Sequence, residues 1–468
     1  MTARALMIGG TASHVGKSWM ATAICRWLRR RGIRVAPFKS QNMSNNSFPC
    51  PGGGEIGRAQ VAQAEACGLE PSPDMNPILL KPTSDGSSQV VVQGKVWRDL
   101  SAREYYQQYG FLLGKVEESY ARLSAQYEFL VIEGAGSVAE LNLRNMDLVN
   151  LGLARRLNVP VLLVADIDRG GVFASIYGTL ALLEPEESSL VRAFAVNRFR
   201  GDPVLFSDGV RMLEEKTAKP CLGVFPFVEG IALDEEDSVA LDQWRPLPPG
   251  ALSIAIIQFP RVSNHTDFQH LTSALWIQRP VRRQFDLIIL PGSKNSVADL
   301  QWMRAQKFDL WLKEQYAGGA HVLGVCGGYQ MLGESIDDPD HVESQESSVP
   351  GLAMLPVRTT LQREKVTRQV TASTLKGRSF PAYEIHMGET LRPAGAEPFA
   401  WIEGCAEGIR RERCAGTYLH GALQSPDVLE DWIGFRPTEA PSHDQSYERL
   451  ANWFERWVDR ALFEKLFL

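Results

Sequence analysis

Two short stretches of this chain carry residue types whose spacing could do chemistry. The first is "GGTASHVGKS", Gly9 to Ser18. Successive backbone N–H groups in a glycine-rich turn, backed by a helix N-terminus, form a nest for an anion. Gly10, Thr11 and Gly16 would shape that nest, Lys17 would reach a phosphate, and the Ser18 hydroxyl would hold Mg²⁺. The glycines stand one residue further apart than usual, because Thr11 occupies the position five before Gly16. The second stretch is "GVCGG", Gly324 to Gly328, which follows an apolar run. This reads as a nucleophile elbow, a strand-to-helix turn that lifts Cys326 above a sheet. The helix start beyond it would offer the Gly327 N–H to an oxyanion. Gly292, in "ILPGSKN", could complete that hole. A cysteine nucleophile needs a base, and His420 in "GTYLHG" follows a short apolar run.

Buried parallel strands read as continuous apolar runs alternating with helices. Such runs fall at 5–10, 129–136, 159–168 and 193–199. They predict a doubly wound α/β domain with its site at the carboxyl ends of the strands. Glu133 ends one run, as does Asp166 with Asp168; for the aspartates a metal role and a structural role both stand. Around 230–251 the sequence turns acidic and then proline-rich, and apolar runs resume at 252–259, 285–293 and 321–328. The expected organisation is a first domain over 1–232, a linker over 233–250, a second α/β domain over 251–440 and a C-terminal amphipathic helix over 441–468. The polar stretch 334–351 reads as a surface excursion.

A net charge of -6 argues against a general nucleic-acid binder. No run of about 18 apolar residues is present, so no membrane partner is expected. The seven scattered cysteines contain no CxxC pair and fit a reduced, cytoplasmic setting. Oligomeric state stays open, a homo-oligomer included.

The long-spaced loop resembles that of the dethiobiotin synthetase family, whose members use ATP to turn a carboxylate into a phosphate anhydride. The resemblance implies that Lys39 in "VAPFKS" lies near the reacting groups, that Glu133 in "VIEGAGS" binds Mg²⁺, and that Asn197 in "AVNRF" binds adenine. The Cys326 elbow, "LPG" and a later histidine resemble a class I glutamine amidotransferase, which hydrolyses glutamine through a thioester and releases ammonia. That family follows its histidine with Pro-Glu; here Gly421 and Ala422 stand instead. Glu384 and His386 in "YEIHMG" could orient His420 or line a tunnel, and a plain strand explains them nearly as well.

Taken whole, the chain resembles the cobyric acid synthase family through "PFKSQNMSNNS", "EIGRAQVAQA", "MNPILLKP", "ADIDRGGVFAS" and "GVCGGYQMLG" among others. The resemblance implies ATP- and glutamine-dependent amidation of the b, d, e and g carboxylates of a corrinoid, adenosylcobyrinic acid a,c-diamide. Asn42, Asn45 and Asn46 follow the strand carrying Lys39. They are expected to face the phosphate site and bind carboxylate and amide groups, although an ordinary polar turn explains them equally. Arg169 is a candidate partner for a peripheral carboxylate. The sister enzyme that amidates the a and c carboxylates shares both domains. A partitioning-ATPase-like switch would share the loop but would not need Cys326 in an elbow.

Overall fold

A computed structural model describes residues 3–84, 86–228, 230, 231, 233, 252–271, 273–437 and 442–468. The expected linker lies outside the described residues apart from Leu233. The first apolar runs build a six-stranded, wholly parallel sheet. Its order is Cys221–Pro226, Val191–Phe199, Val161–Asp166, Arg4–Gly10, Phe129–Glu133, Val35–Phe38. Central strands of such a sheet are covered on both faces, and Phe129–Glu133 is buried at every position. The helix Lys17–Arg30 follows Arg4–Gly10 through the phosphate-type loop, with Arg29 and Arg30 in its last turn. There the cations complement the helix dipole.

The C-terminal segment forms two helices rather than one, His443–Trp457 and Arg460–Phe467. Both return to the first sheet. Phe454 and Phe463 pack edge-on against Trp27, with ring centroids 5.3 and 5.2 Å apart. Asp444 and Glu448 pair with Arg26. The amphipathic tail therefore covers one face of the first domain.

The later runs build a second six-stranded sheet, ordered Leu275–Ile277, Ile254–Ile257, Leu287–Leu290, His321–Val325, Cys414–Thr417, Ile409–Arg411. Only the last pair is antiparallel. A long hairpin, Arg358–Ser373 with Ser379–Leu391, flanks it in a third sheet. Stretch 334–351 is only partly a surface excursion. It contributes Ser335–Asp337 and Ser348–Pro350 to that third sheet, and Asp338 is fully buried. Asp338 accepts the backbone N–H groups of Val342, Glu343 and Ser344, a local pattern that a polar sequence hides well.

The two sheet domains meet across a polar seam. Glu55, buried in the first, binds Lys81 of its own domain at 2.8 Å and Lys365 of the hairpin. Arg261 Nε donates to the Thr83 carbonyl oxygen at 3.0 Å, and Gln369 Nε2 to that of Pro49 at 2.8 Å.

Candidate active sites

The phosphate-type loop closes a cavity of about 230 Å³ lined by Ser13, His14, Gly16, Lys17, Ser18, Lys39, Asn42 and Glu133. Gly16 adopts φ 96°, and an added Cβ would lie 2.1 Å from Asn197 Nδ2. Asn197 braces the loop from behind by donating to the Val15 carbonyl oxygen at 2.8 Å. Lys17 is folded over the nest, donating to the carbonyl oxygens of Ala12 and Gly136 at 2.9 Å each. Thr11 is the loop residue that falls outside the nest. Its N–H donates to the Val164 carbonyl oxygen at 3.0 Å, continuing the pairing of the first strand. The extra residue thus lengthens the strand end, and Ser13 and His14 line the cavity.

Glu133 gathers the site. Ser18 Oγ donates to its Oε1 at 2.8 Å, Lys39 Nζ contacts the same oxygen at 3.0 Å, and Gln63 donates to Oε2. Burial works against the carboxylate's charge, but Lys39, Gln63 and Ser18 outweigh it and hold the group below its ordinary range. A hydroxyl and a carboxylate facing a phosphate nest are hard oxygen donors of the kind Mg²⁺ takes, with phosphate and water supplying the rest. Asp166 is not itself in the wall of the phosphate cavity, but its partner Arg198 is. It pairs with Arg198 at 3.1 Å and accepts the Asp168 N–H, while Asp168 binds Arg200. Arg169 is exposed on the adjoining turn.

Next to the phosphate cavity, and meeting it at Met43, Ala135 and Gly136, lies a larger cavity of about 540 Å³. Its walls are mainly apolar, with Leu80, Val90, Leu100, Tyr105, Val138 and Leu148 among them. The asparagines of "QNMSNNS" do not share one site, contrary to the expectation that all three face the phosphate. Only Asn42 lines the phosphate cavity, where it donates to Gln60 Oε1 at 2.9 Å. Asn45 opens into the cavity of Cys326, and Asn46 grips His265. The cause is a turn: the Asn46 N–H donates to Ser44 Oγ at 3.0 Å and redirects the chain.

In the second domain Cys326 sits at φ 52°, ψ -109°, between the strand His321–Val325 and the helix Gly327–Leu332. A non-glycine residue holds such a conformation only when its surroundings over-determine it. They do so here: a Cβ on Gly328 would lie 2.0 Å from the Leu290 carbonyl oxygen, and one on Gly324 2.6 Å from Gly328. Gly327 packs against Ser293, and Gly292 lies beside His420, where an added Cβ would come within 3.2 Å of the ring.

His420 is almost fully buried; its Nε2 has no hydrogen-bond partner among the described residues, and the Cys326 thiol donates to the Ile385 carbonyl oxygen at 3.5 Å. The missing glutamate has a replacement that sequence spacing could not reveal. Asp267 Oδ2 lies 2.6 Å from His420 Nδ1. Its other oxygen accepts Tyr383 Oη at 3.0 Å and the Gly421 N–H at 3.1 Å. Tyr383 also stacks on the imidazole, with centroids 5.2 Å apart. Burial alone would depress the histidine's pKa. The charge and hydrogen bond of Asp267, helped by Cys326, instead push it up to about 10. The result is a Cys326–His420–Asp267 triad with the acid supplied from the turn Asn264–Phe268, 153 residues upstream. Glu384 does not orient His420; it binds Arg368 and lies 3.7 Å from His386. His386 lines the Cys326 cavity, as do Lys294 and Glu343, neither of which sequence spacing marked.

Comparison with known proteins agrees with this division. Residues 6–239 match the family described as the CobQ/CobB/MinD/ParA nucleotide binding domain. Residues 253–428 match the CobB/CobQ-like glutamine amidotransferase domain. The cobyric acid synthase of Parabacteroides distasonis is 43% identical, covering 97% of each chain. That of Sorangium cellulosum is 43% identical over 100% of this chain and 99% of its own. One from Cereibacter sphaeroides is 47% identical over 89% of each. With both halves matched and the similarity running end to end, the chain belongs to the cobyric acid synthase family, glutamine-dependent ligases of cobalamin biosynthesis.

Proposed function

We propose that this protein amidates the b, d, e and g carboxylates of adenosylcobyrinic acid a,c-diamide, using ATP to activate each carboxylate and glutamine to supply nitrogen. The observation that carries the reading is the pairing, in one chain, of a phosphate nest with a strained cysteine elbow backed by His420 and Asp267. A carboxylate oxygen is a poor leaving group, and ammonia at neutral pH is mostly protonated. One site must therefore phosphorylate, and the other must release ammonia where water does not compete.

In the first site the substrate carboxylate attacks the γ-phosphorus of ATP, forming an acyl phosphate and expelling ADP. The loop amides and Lys17 hold the transferring charge. Mg²⁺, when bound by Ser18 and Glu133, would neutralise phosphate charge. Lys39, which pairs with Glu133 and lines the same cavity, would add positive charge beside the developing anion. The apolar cavity suits the methyl-rich body of a corrinoid, with its carboxylates presented at the rim shared with the phosphate cavity. Asn42 lies beside Met43 of that rim and lines the phosphate cavity.

In the second site Cys326 Sγ attacks the side-chain carbonyl of glutamine. His420, held as an imidazolium by Asp267, pairs with the attacking thiolate and gives its proton to the departing nitrogen. The N–H groups around Gly327 and Gly292 face the oxyanion. Water hydrolyses the thioester to glutamate, and ammonia displaces phosphate from the activated carboxylate in the first site.

Two variants separate the halves. Cys326→Ala should abolish amidation from glutamine and retain it from ammonium. Lys17→Ala should abolish both. Product analysis of the corrinoid reads each outcome; glutamine-dependent activity surviving in Cys326→Ala would overturn the assignment of the nucleophile.

A further inference from the structure

The triad acid Asp267 stands on a short turn that the first domain holds. Asn264 enters that turn in the left-handed region, φ 51°, and the Asp267 N–H returns to the Asn264 carbonyl oxygen at 3.0 Å. A single tight turn has few bonds of its own, so its direction depends on what grips its start. The grip comes from a strap of the ATP-binding domain, Asn46 to Phe48. Asn46 Oδ1 accepts the His265 N–H at 2.9 Å, and Asn46 Nδ2 lies 2.7 Å from His265 Nδ1. The Ser47 N–H donates to Asn264 Oδ1 at 3.0 Å. Phe48 packs on Tyr383, centroids 4.7 Å apart. Tyr383 in turn stacks on His420 and donates to Asp267 Oδ1.

Within that strap Asn46 is the residue built for the task. Asn46, Asn264, His265 and Asp267 are all buried. An amide side chain offers an acceptor and a donor together, and here both meet His265. The backbone of Asn46 is itself fixed. Its N–H donates to Ser44 Oγ at 3.0 Å, and its carbonyl oxygen accepts the Arg58 N–H at 3.0 Å. Asp267 lies two residues beyond His265, so a shift of the turn start carries the carboxylate away from His420 Nδ1, now 2.6 Å distant. A hydrogen bond weakens steeply once its distance and angle are lost. The neighbouring Asn45 lines the Cys326 cavity, whereas the Asn46 amide is turned to His265.

We infer that Asn46 is a positioning residue for the glutamine-cleaving triad: contributed by the ATP-binding domain, it fixes the turn Asn264–Phe268 and, through it, the Asp267 carboxylate that holds His420. The triad is thus set by both domains, although its three members all belong to the second. The inference rests on the reading that Cys326, His420 and Asp267 cleave glutamine.

The test is glutamate release from glutamine by the full chain, measured for the wild type, Cys326→Ala, Asp267→Asn, Asn46→Ala and the double variant Asn46→Ala with Asp267→Asn. Amidation from ammonium is measured beside it. A wild type that releases no glutamate, or a Cys326→Ala that releases as much as wild type, fails the underlying reading before Asn46 is considered. Given hydrolysis that needs Cys326, Asn46→Ala should lower its kcat by about tenfold to a hundredfold, the effect of losing two hydrogen bonds. The KM for glutamine should stay unchanged, because the loss falls on the reacting groups and not on binding. Amidation from ammonium should persist. Added to Asp267→Asn, Asn46→Ala should cost no more than about threefold further, because the two act through one contact. A wild-type kcat in Asn46→Ala would overturn the inference. So would equal loss of hydrolysis and ammonium-dependent amidation, or losses that multiply in full in the double variant; either result would make Asn46 a brace of the fold only.

Discussion

At the scale of single residues, the second site turns on how His420 is held. Asp267 fixes the imidazole through Nδ1 and leaves Nε2 buried and without a partner among the described residues, open to the reacting groups. Asp267→Asn removes the charge and favours the wrong tautomer. Glutamine-dependent amidation should fall by about a hundredfold to ten-thousandfold, while ammonium-dependent amidation stays intact. Equal loss of both activities would place Asp267 in the fold rather than in the site. The same pair sets a pH signature. His420 keeps its proton to about pH 10 when folded, against about 6.5 when unfolded. Its stabilising contribution is therefore fully present below about pH 6.5 and fades as pH rises through about 10. The melting-temperature gap between wild type and Asp267→Asn should accordingly be widest near pH 6 and narrow in alkali; a gap that widens with pH would contradict the pairing. Cys326, His420, Lys17 and Ser18 were legible because their neighbours in sequence impose their geometry. Asp267 was not: nothing in "SNHTDFQH" separates it from an ordinary polar turn, and only the tertiary fold brings it to His420.

At the scale of elements, the glycines around Cys326 hold a conformation that the cysteine would not adopt alone. Gly328→Ala would drive a methyl group against the Leu290 carbonyl oxygen at 2.0 Å. The strand and helix would have to separate, at a cost of about 2–4 kcal/mol. Unfolding measurements should show that loss together with loss of glutamine hydrolysis. An unchanged elbow activity would mean the helix can shift without disturbing Sγ. Parallel strands were readable as apolar runs because both faces of each sheet are covered. The long hairpin was harder, since its strand Arg358–Ser373 alternates irregularly and is largely exposed. The asparagine strap illustrates the limit at this scale. Its composition marked it as polar and site-like, but the Ser44 turn that divides it between two cavities depends on packing against the second domain.

At the scale of the whole molecule, two domains that could each hold a site are joined by buried charge. Burial opposes the Glu55 carboxylate, yet Lys365 and Lys81 outweigh it and hold its pKa far below the usual range. Lys365→Met removes the partner that crosses the seam and leaves Lys81 in place, for an expected loss of about 1–3 kcal/mol. Denaturation would register it, and an unchanged midpoint would mean the seam is held by other contacts. The tail helices add to the same closure by returning to the first domain after the chain has built the second. The division into two α/β halves was legible from runs and composition; the contacts between them were not, because residues 55, 81 and 365 carry no pattern that links them. The account's central claim is that nitrogen freed from glutamine in one half is fixed onto a corrinoid activated in the other. Incubation with ATP, Mg²⁺, adenosylcobyrinic acid a,c-diamide and glutamine labelled with ¹⁵N at the side-chain amide tests it, read by the mass of the corrinoid. The account predicts four labelled amides. A corrinoid of unchanged mass, or one amidated without label, would contradict it.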